Sequence, residues 1–273
     1  MATISNLNSQ LVSVKWLNKH LDTSNLILLD ATINKVFDNN SLRIPKARFF
    51  DIKQKFSDRD APFPSTLPSK EQFQKEARAL GINKDSMIVV YDDKGIYSSP
   101  RAWWLFKTFG FKNVAVLDGG LPEWKNQDLD IENYTHEIYP IGDFEARYHP
   151  DLMTDFKGVN AYSRDSKTLV IDARSKARFN CLVDEPRAGL RRGTIPNSKN
   201  IPYTELFHGH KMKTKEEISK IFNNLVVDKT KVVFSCGSGI TACVLALGAA
   251  LCDYKNVTVY DGSWTEYGSL TNT

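Results

Sequence analysis

The chain has 273 residues, of which 41% are hydrophobic and 25% are charged, and this excludes a mainly disordered protein because the apolar side chains suffice for a core. The 36 lysines and arginines exceed the 32 acidic residues by only four, which argues against a dedicated nucleic-acid-binding surface. At about 150 residues per domain, the length allows one large domain or two ordinary ones.

In the first half of the chain, short apolar runs predict strands, and polar residues at helix starts predict helices. The predicted strands are 26–31, 87–92 and 114–117. Between the first two strands, Ser69 to Gln72 has the spacing of a capping box, and the helix that it opens is expected to end at Gly81.

The second half repeats this alternation. The predicted strands are 168–172, 231–235 and 257–260. Thr214 to Glu217 is a second capping box, and the apolar stretch 241–251 predicts a buried helix. Alternating strands and helices favour an α/β fold in which a mainly parallel sheet carries helices on both faces.

The two halves are also similar to each other. VVY at 89–91 and VVF at 232–234, and the two KNV segments at 112–114 and 255–257, are each 143 residues apart. LDGGLPEW at 117 and YDGSWTEY at 260 share that offset. We therefore predict two tandem domains of one fold, residues 1–135 and 150–273, joined by an irregular linker.

The cysteines and the chain start give expectations about compartment and metals. None of the four cysteines has CxxC spacing, so neither a disulfide scaffold nor a zinc site is indicated, and we expect no metal and no cofactor. No signal peptide is visible, and the longest apolar run, VLALGAALC, is too short for a membrane span. The sequence predicts free thiols, a cytoplasmic location, and neither membrane nor nucleic-acid partners.

The segment from Cys236 to Thr241 is the strongest candidate site. Ligands of α/β domains bind at the carboxyl ends of strands, and Cys236 follows a predicted strand there. Gly237 and Gly239 allow close backbone approach, and successive N–H groups before a helix can bind an anion. Such surroundings favour a thiolate, the nucleophilic form of cysteine. The other reading of a lone cysteine, a small buried hydrophobe, suits Cys243 and Cys252 in the apolar helix.

Several cysteine chemistries do not fit this loop. A phosphatase loop has arginine six residues after its cysteine, but here that residue is Ala242. A Walker-A ending is absent, and the sequence ties none of its five histidines to Cys236 as the base of a protease. What remains is a loop whose amides stabilise an anionic sulfur, either a thiolate or a persulfide.

These residues resemble the rhodanese superfamily, over nearly the whole chain. The likeness rests on the duplicated halves, the CGSGIT loop, the LDGG segment followed by Trp, and the DAR…RF…EPR segment. The closer likeness is to 3-mercaptopyruvate sulfurtransferases, because thiosulfate sulfurtransferases usually carry basic residues in that loop. The resemblance implies that only the second half is catalytic. At an offset of 143, Asp93 falls in the place of Cys236, and a carboxylate cannot accept sulfane sulfur.

The resemblance also implies a mechanism. Cys236 takes sulfur from 3-mercaptopyruvate as a persulfide, pyruvate leaves, and a small thiol, cyanide or a thioredoxin-like protein accepts the sulfur. Ser238 holds the substrate or relays a proton, and Arg178 and Arg187 bind the carboxylate. The expected donors to the sulfur anion are the backbone amides of Gly237, Ser238, Gly239, Ile240 and Thr241.

Two alternatives stay open at this stage. One is a thiosulfate sulfurtransferase, and the other is a non-catalytic persulfide carrier that receives its sulfur from a partner enzyme. The carrier reading gains weight from two first-half positions where relatives often have a histidine and an acid. This chain has Ser65 and Lys53 there, and their effect is open.

Overall fold

The computed structural model describes residues 6–37, 41–226 and 228–271. These residues form two compact units. The first contains the described residues up to Asp58, then Leu67–His149 and His208–Met212. The second contains Arg59–Thr66, Pro150–Phe207 and the described residues from Lys213 onward.

The first unit is built on a parallel sheet with strand order β1-β6-β5-β2-β4. A second, antiparallel pair joins β3 to β7. The elements in chain order are β1 (Leu11–Val12), α1 (Val14–His20), β2 (Leu26–Asp30), β3 (Leu42–Arg43), β4 (Arg48–Phe49), α2 (Lys70–Ala79), β5 (Met87–Tyr91), α3 (Ser99–Thr108), β6 (Val114–Leu117), α4 (Gly120–Asn126) and β7 (Glu132–Asn133).

From Pro150 onward the chain forms a second parallel sheet, with strand order β10-β9-β13-β14-β8. A short pair of strands, β11 and β12, forms a separate two-stranded sheet. The elements in chain order are β8 (Met153–Thr154), α5 (Phe156–Tyr162), β9 (Thr168–Asp172), α6 (Lys176–Phe179), β10 (Lys199–Asn200), β11 (Phe207–His208), β12 (Lys211–Met212), α7 (Lys215–Asn223), β13 (Lys231–Ser235), α8 (Ala242–Leu251), β14 (Val257–Tyr260) and α9 (Ser263–Leu270).

Helices cover both faces of each sheet. In the first unit, Leu17 of α1 and Trp124 of α4 pack with one face of the sheet. Aromatic rings of α2 and α3 cluster separately, with Phe73 and Phe109 stacked 4.3 Å apart. In the second unit, Trp264 of α9 belongs to the core cluster that contains α5 and the sheet. The predicted α/β class, with mainly parallel sheets and helices on both faces, is confirmed.

The predicted elements match closely. Four of the six predicted strands have the predicted bounds, and the other two end one residue earlier, at Asp30 and Tyr91. The capping box at Thr214 is complete, with both reciprocal hydrogen bonds. At Ser69 only half of it forms, because the Gln72 side chain instead donates to backbone carbonyls of residues 55 and 57 at 2.9 Å. The predicted buried helix 241–251 is α8.

Strand register corrects one expectation about the first half. Tyr91 pairs with Asp30 at the end of β5, and Ser235 pairs with Asp172 at the end of β13. The residue that follows β5, in the place of Cys236, is therefore Asp92 rather than Asp93. The chain between strand and helix spans 92–98 in the first unit and 236–241 in the second, so the first is one residue longer and a gapless offset fails across it.

Candidate active site

Cys236 lies immediately after the central strand of the second sheet. Strand β13 has β9 and β14 as its neighbours, and helix α8 begins at Ala242, so the loop 236–241 joins a buried strand to a buried helix. The Cys236 residue is 1% exposed, whereas Gly237, Ser238 and Thr241 are partly exposed. The thiol therefore lies beneath a loop that itself reaches solvent.

The loop offers unpaired backbone donors. Within the described parts of the chain, the N–H groups of Gly237, Ser238, Ile240 and Thr241 donate to no protein acceptor. The fifth amide of the predicted cradle is occupied, since Gly239 N–H donates to the Ser263 hydroxyl oxygen at 3.1 Å. Unpaired donors beside a buried thiol, at the N-terminus of a ten-residue helix, favour a negative charge on the sulfur.

Arg178 lies over the start of this loop. A Cβ atom placed on Gly237 would be 3.0 Å from Arg178 Nη2, which fixes how closely the guanidinium approaches the backbone. Arg178 also donates to the buried Glu185 carboxylate, with Nη2 to Oε2 at 2.5 Å. The ion pair with Glu185 thus anchors the guanidinium beside the residue that follows Cys236.

Arg187 reaches the same residue through a neighbour on α9. Its Nη1 donates to Thr265 Oγ1 at 2.5 Å, and that hydroxyl donates to the Gly237 carbonyl at 2.5 Å. The Thr265 N–H donates to the same carbonyl at 2.9 Å. The two predicted substrate arginines therefore converge on Gly237, although they are nine residues apart in the sequence.

A buried ion network supports the arginines. Arg174 is 2% exposed and donates to Asp172 at the end of β9, to Glu185 and to the carbonyl of Gly193. Burial lowers the pKa of Arg174, but the carboxylates of Asp172 and Glu185 outweigh it and raise that pKa overall. Glu185 thereby connects this fixed charge to Arg178. Because Arg174 is buried, it acts on the site through Glu185, which also binds Arg178.

With this geometry in place, comparison with known proteins decides the family. A family profile described as Rhodanese-like domain matches residues 13–127 and 157–270, once in each half. The chain belongs to the rhodanese family. It is 40% identical over 267 residues to 3-mercaptopyruvate sulfurtransferase of Escherichia coli (strain K12), covering 94% of both chains.

Two further rhodanese relatives extend the comparison. Thiosulfate/3-mercaptopyruvate sulfurtransferase 1, mitochondrial, of Arabidopsis thaliana is 38% identical over 289 residues, covering 94% of this chain and 76% of its own. The crystal structure of SseA from Escherichia coli superposes with a TM-score of 0.82 at 38% identity, covering 94% of this chain and 99% of that one.

No helix among the described residues is both long and apolar enough to cross a membrane.

The other three cysteines of this rhodanese lie outside the loop 236–241, although Cys243 contacts the backbone of that loop. Cys243 is fully buried in α8, as expected, and its Sγ lies 3.4 Å from the Gly239 carbonyl. Cys252 was expected in the core but caps the end of α8 and is partly exposed, because the helix ends there near the surface. Cys181 is exposed, with a positive φ of 60°. Ser65 is buried with φ 63° and belongs to the unit that contains Cys236.

The sequence analysis missed two hydroxyl residues that contact the backbone of the loop 236–241. They are Ser263 and Thr265, which bind the loop from the start of α9. The internal repeat held the signal, because the first-half segment has Gly120 and Pro122 at the matching positions. The second copy therefore has two hydroxyl groups where the first has none. The Ser238 hydroxyl itself makes no hydrogen bond to any described residue.

Proposed function

We propose that this chain is a sulfurtransferase that moves sulfur from 3-mercaptopyruvate to a thiol or cyanide acceptor through a persulfide on Cys236. The observation that carries the proposal is a thiol at a strand end beside four unpaired loop amides, with two arginines converging on Gly237. The names of the curated relatives at about 40% identity support the donor assignment.

The first half-reaction balances with this chain's own groups. The Cys236 thiolate attacks the sulfur of the donor, an S–S bond forms, and the donor C–S bond breaks with its electron pair passing to carbon. The resulting enolate of pyruvate takes a proton at carbon, and the enzyme keeps the sulfur as a persulfide. We assign to Ser238 the relay of that proton or contact with the donor.

The amides and arginines have separate roles in this scheme. The N–H groups of Gly237, Ser238, Ile240 and Thr241 stabilise sulfur anions as an oxyanion hole stabilises oxygen anions. Gly239 acts in the cradle through its left-handed backbone, φ 74°, which turns the chain. Arg178 and Arg187 bind the donor's carboxylate and keto oxygens, since planar guanidinium groups match carboxylates.

The division of labour between the halves is part of the proposal. We assign catalysis to the domain 150–273 and a non-catalytic role to the domain 1–135, where Asp92 replaces the nucleophile. The acceptor is cyanide or a thiol, the thiol being either a small molecule or a thioredoxin-like protein. We place the reaction in the cytoplasm because reduced thiols are plentiful there.

Thiosulfate is the second candidate donor. The Arabidopsis relative's name includes both donors, which favours some thiosulfate use. Against a preference for it, the loop positions 237–241 contain no lysine or arginine to bind a dianion. A ratio of kcat/KM values that favours thiosulfate by a wide margin would reverse the donor assignment.

The test uses purified protein with 3-mercaptopyruvate and intact mass spectrometry. We expect pyruvate release and a gain of about 32 Da, one sulfur atom, which Cys236→Ser abolishes. Cys181→Ser is the matched control, because that thiol is exposed and outside the loop, and it should load normally. Folded protein that releases no pyruvate would support the carrier reading. Sulfur mapped to another cysteine would overturn the site.

A further inference from the structure

The hydroxyl group of Ser263, at the proposed site, uses both of its lone pairs and its proton in hydrogen bonds. It is fully buried as the first residue of α9. Its Oγ accepts hydrogen bonds from the N–H groups of Cys236 and Gly239, both at 3.1 Å. These two bonds hold the loop at its nucleophile and at its left-handed turn. They also use both lone pairs of the hydroxyl oxygen.

The hydroxyl has a single proton, and two acceptors lie within reach. The Tyr260 carbonyl oxygen is 2.9 Å from Ser263 Oγ, and Cys236 Sγ is 3.8 Å away. A neutral sulfur is a weak acceptor, so the proton then belongs to the carbonyl. An anionic sulfur is a much stronger acceptor, because hydrogen bonds to charged groups are shorter and roughly twice as strong.

We propose that Ser263 is a catalytic residue of the sulfur site, a movable donor that turns its proton from the Tyr260 carbonyl to Cys236 when that sulfur becomes anionic. The inference rests on the proposed function, in which thiolate and persulfide alternate on Cys236. It adds one switchable donor to the fixed loop amides. No atom other than the hydroxyl hydrogen needs to move far.

The backbone at this position supports the inference. Ser263 has φ 52°, a left-handed conformation that side chains other than glycine adopt at a cost. The matching residue of the first unit is Gly120, also with φ 52°. The match is fixed by equivalent hydrogen bonds, from Leu121 N–H to Asp92 O and from Trp264 N–H to Cys236 O, both at 3.0 Å. Thus the unit whose loop begins with Cys236 has a strained serine at this position, whereas the unit whose loop begins with Asp92 has an unstrained glycine.

Two variants remove the hydroxyl with different backbone consequences. Ser263→Gly removes it and suits the positive φ, whereas Ser263→Ala keeps the Cβ atom and the strain. The readout is the rate of iodoacetamide labelling of Cys236 against pH, quantified on the cysteine's own peptide. We expect the midpoint of this profile to rise by about one pH unit in both variants. We also expect kcat for sulfur transfer to fall about tenfold with KM little changed.

The surrounding charges stay constant in these variants, so the shift reports the hydroxyl. Among the described residues, the charged side chains at or behind the loop include Asp172, Arg174, Arg178, Glu185 and Arg187, and Glu266 lies in the first turn of α9. Ser269→Ala is the matched control, since Ser269 is exposed on the same helix and donates only to the Thr265 carbonyl. It should leave both the labelling profile and kcat at wild-type values.

Three outcomes would overturn the proposal. The first is a wild-type labelling profile in folded Ser263→Gly with an unchanged Tm. The second is an unshifted labelling profile with a lower Tm in either variant, which would make Ser263 purely structural. If neither variant folds, a crystal structure of the persulfidated wild-type protein decides. We expect Ser263 Oγ to approach a sulfur to about 3.3 Å, and a separation that stays at 3.8 Å or more counts against it. Labelling needs no sulfur donor, so a failed donor assignment leaves this test intact.

Discussion

The two loops 92–98 and 236–241 both join a parallel strand to a helix, but they differ in what their backbone N–H groups bind. In the first, Asp92 Oδ2 accepts hydrogen bonds from the N–H groups of Tyr97, Ser98 and Ser99 at 2.8–3.0 Å and from the Ser99 hydroxyl at 2.7 Å. In the second, the corresponding amides have no acceptor among the described residues. The first loop has closed around a carboxylate of its own.

The difference between the loops distinguishes the contribution of the backbone, which is the set of N–H groups, from that of the side chain at the strand end, which is the charge. A parallel strand followed by a tight turn and a helix collects N–H groups around one point, whichever residue occupies it. Asp92 fills that point permanently with an anion, so the first loop is a structural element. Cys236 leaves the loop N–H groups available for a negative charge that is present on sulfur only at some steps of the reaction. We infer that a sulfur carrier requires this. The residue at the strand end, together with the loop length, thus distinguishes a loop closed by its own carboxylate from one whose amides have no acceptor among the described residues.

The largest effect is expected from Asp92→Asn, which removes the carboxylate that closes the first loop. The amide cannot accept on both of its heavy atoms, so several buried N–H groups lose their charged acceptor. We expect the free energy of unfolding to fall by about 3 kcal/mol. Urea unfolding measures it. Sulfur loading of Cys236 per folded molecule should be unchanged, and an unaltered urea midpoint would mean that the carboxylate does not hold the loop.

Arg187→Lys tests the open loop at its substrate side. Lysine keeps the charge but loses the planar fork that matches a carboxylate and the bond to Thr265. We expect KM for 3-mercaptopyruvate to rise about 30-fold, roughly 2 kcal/mol, with kcat within a factor of three. Arg192→Lys is the control, because Arg192 is exposed and pairs with the exposed Asp184. Equal KM values in the two variants would remove Arg187 from the binding site.

Much of this arrangement could be predicted from the sequence, because it depends on local signals. Strand bounds follow from continuous apolar runs, and the loop's position follows from a cysteine between a buried strand and a glycine-rich turn. The contacts of Ser263 and Thr265 with the loop span 24 to 28 residues of chain, so no local pattern predicts them, and only the comparison of the two repeats sets these positions apart. The match of Asp93 with Cys236 was wrong because a constant offset cannot detect one extra residue in a loop.

A smaller effect is expected from Gly237→Ala, which crowds the open loop without closing it. The new Cβ would lie 3.0 Å from Arg178 Nη2, the far end of a flexible side chain, so the guanidinium can shift rather than the backbone. We expect KM to rise about fivefold, near 1 kcal/mol, with Tm almost unchanged. Gly239→Ala gives the contrast, because φ 74° makes a side chain there costly and should lower Tm. The opposite ranking of the two Tm values would contradict this account.

The smallest expected effect comes from Asp93→Asn, one residue beyond the carboxylate that closes the first loop. Partial burial, followed by the neighbouring carboxylates of Asp92 and Asp30, raises the pKa of Asp93. The folded state therefore binds this proton more tightly than the unfolded state, so ionised Asp93 lowers stability at neutral pH, and the cost disappears as pH falls.

Asparagine removes that cost without removing the side chain. At pH 7, Asp93→Asn should stabilise the protein by no more than a few tenths of a kcal/mol, since Asp93 is exposed and solvent screens it. The difference should shrink to zero below about pH 3, where aspartate is largely protonated in both states. Urea midpoints at the two pH values measure it. Asp92→Asn and Asp93→Asn, the same chemical change at adjacent residues, should thus have effects of opposite sign on stability. A stabilising Asp92→Asn would show that Asp92 is no anchor for the loop, and a destabilising Asp93→Asn would contradict the cost assigned to the ionised Asp93.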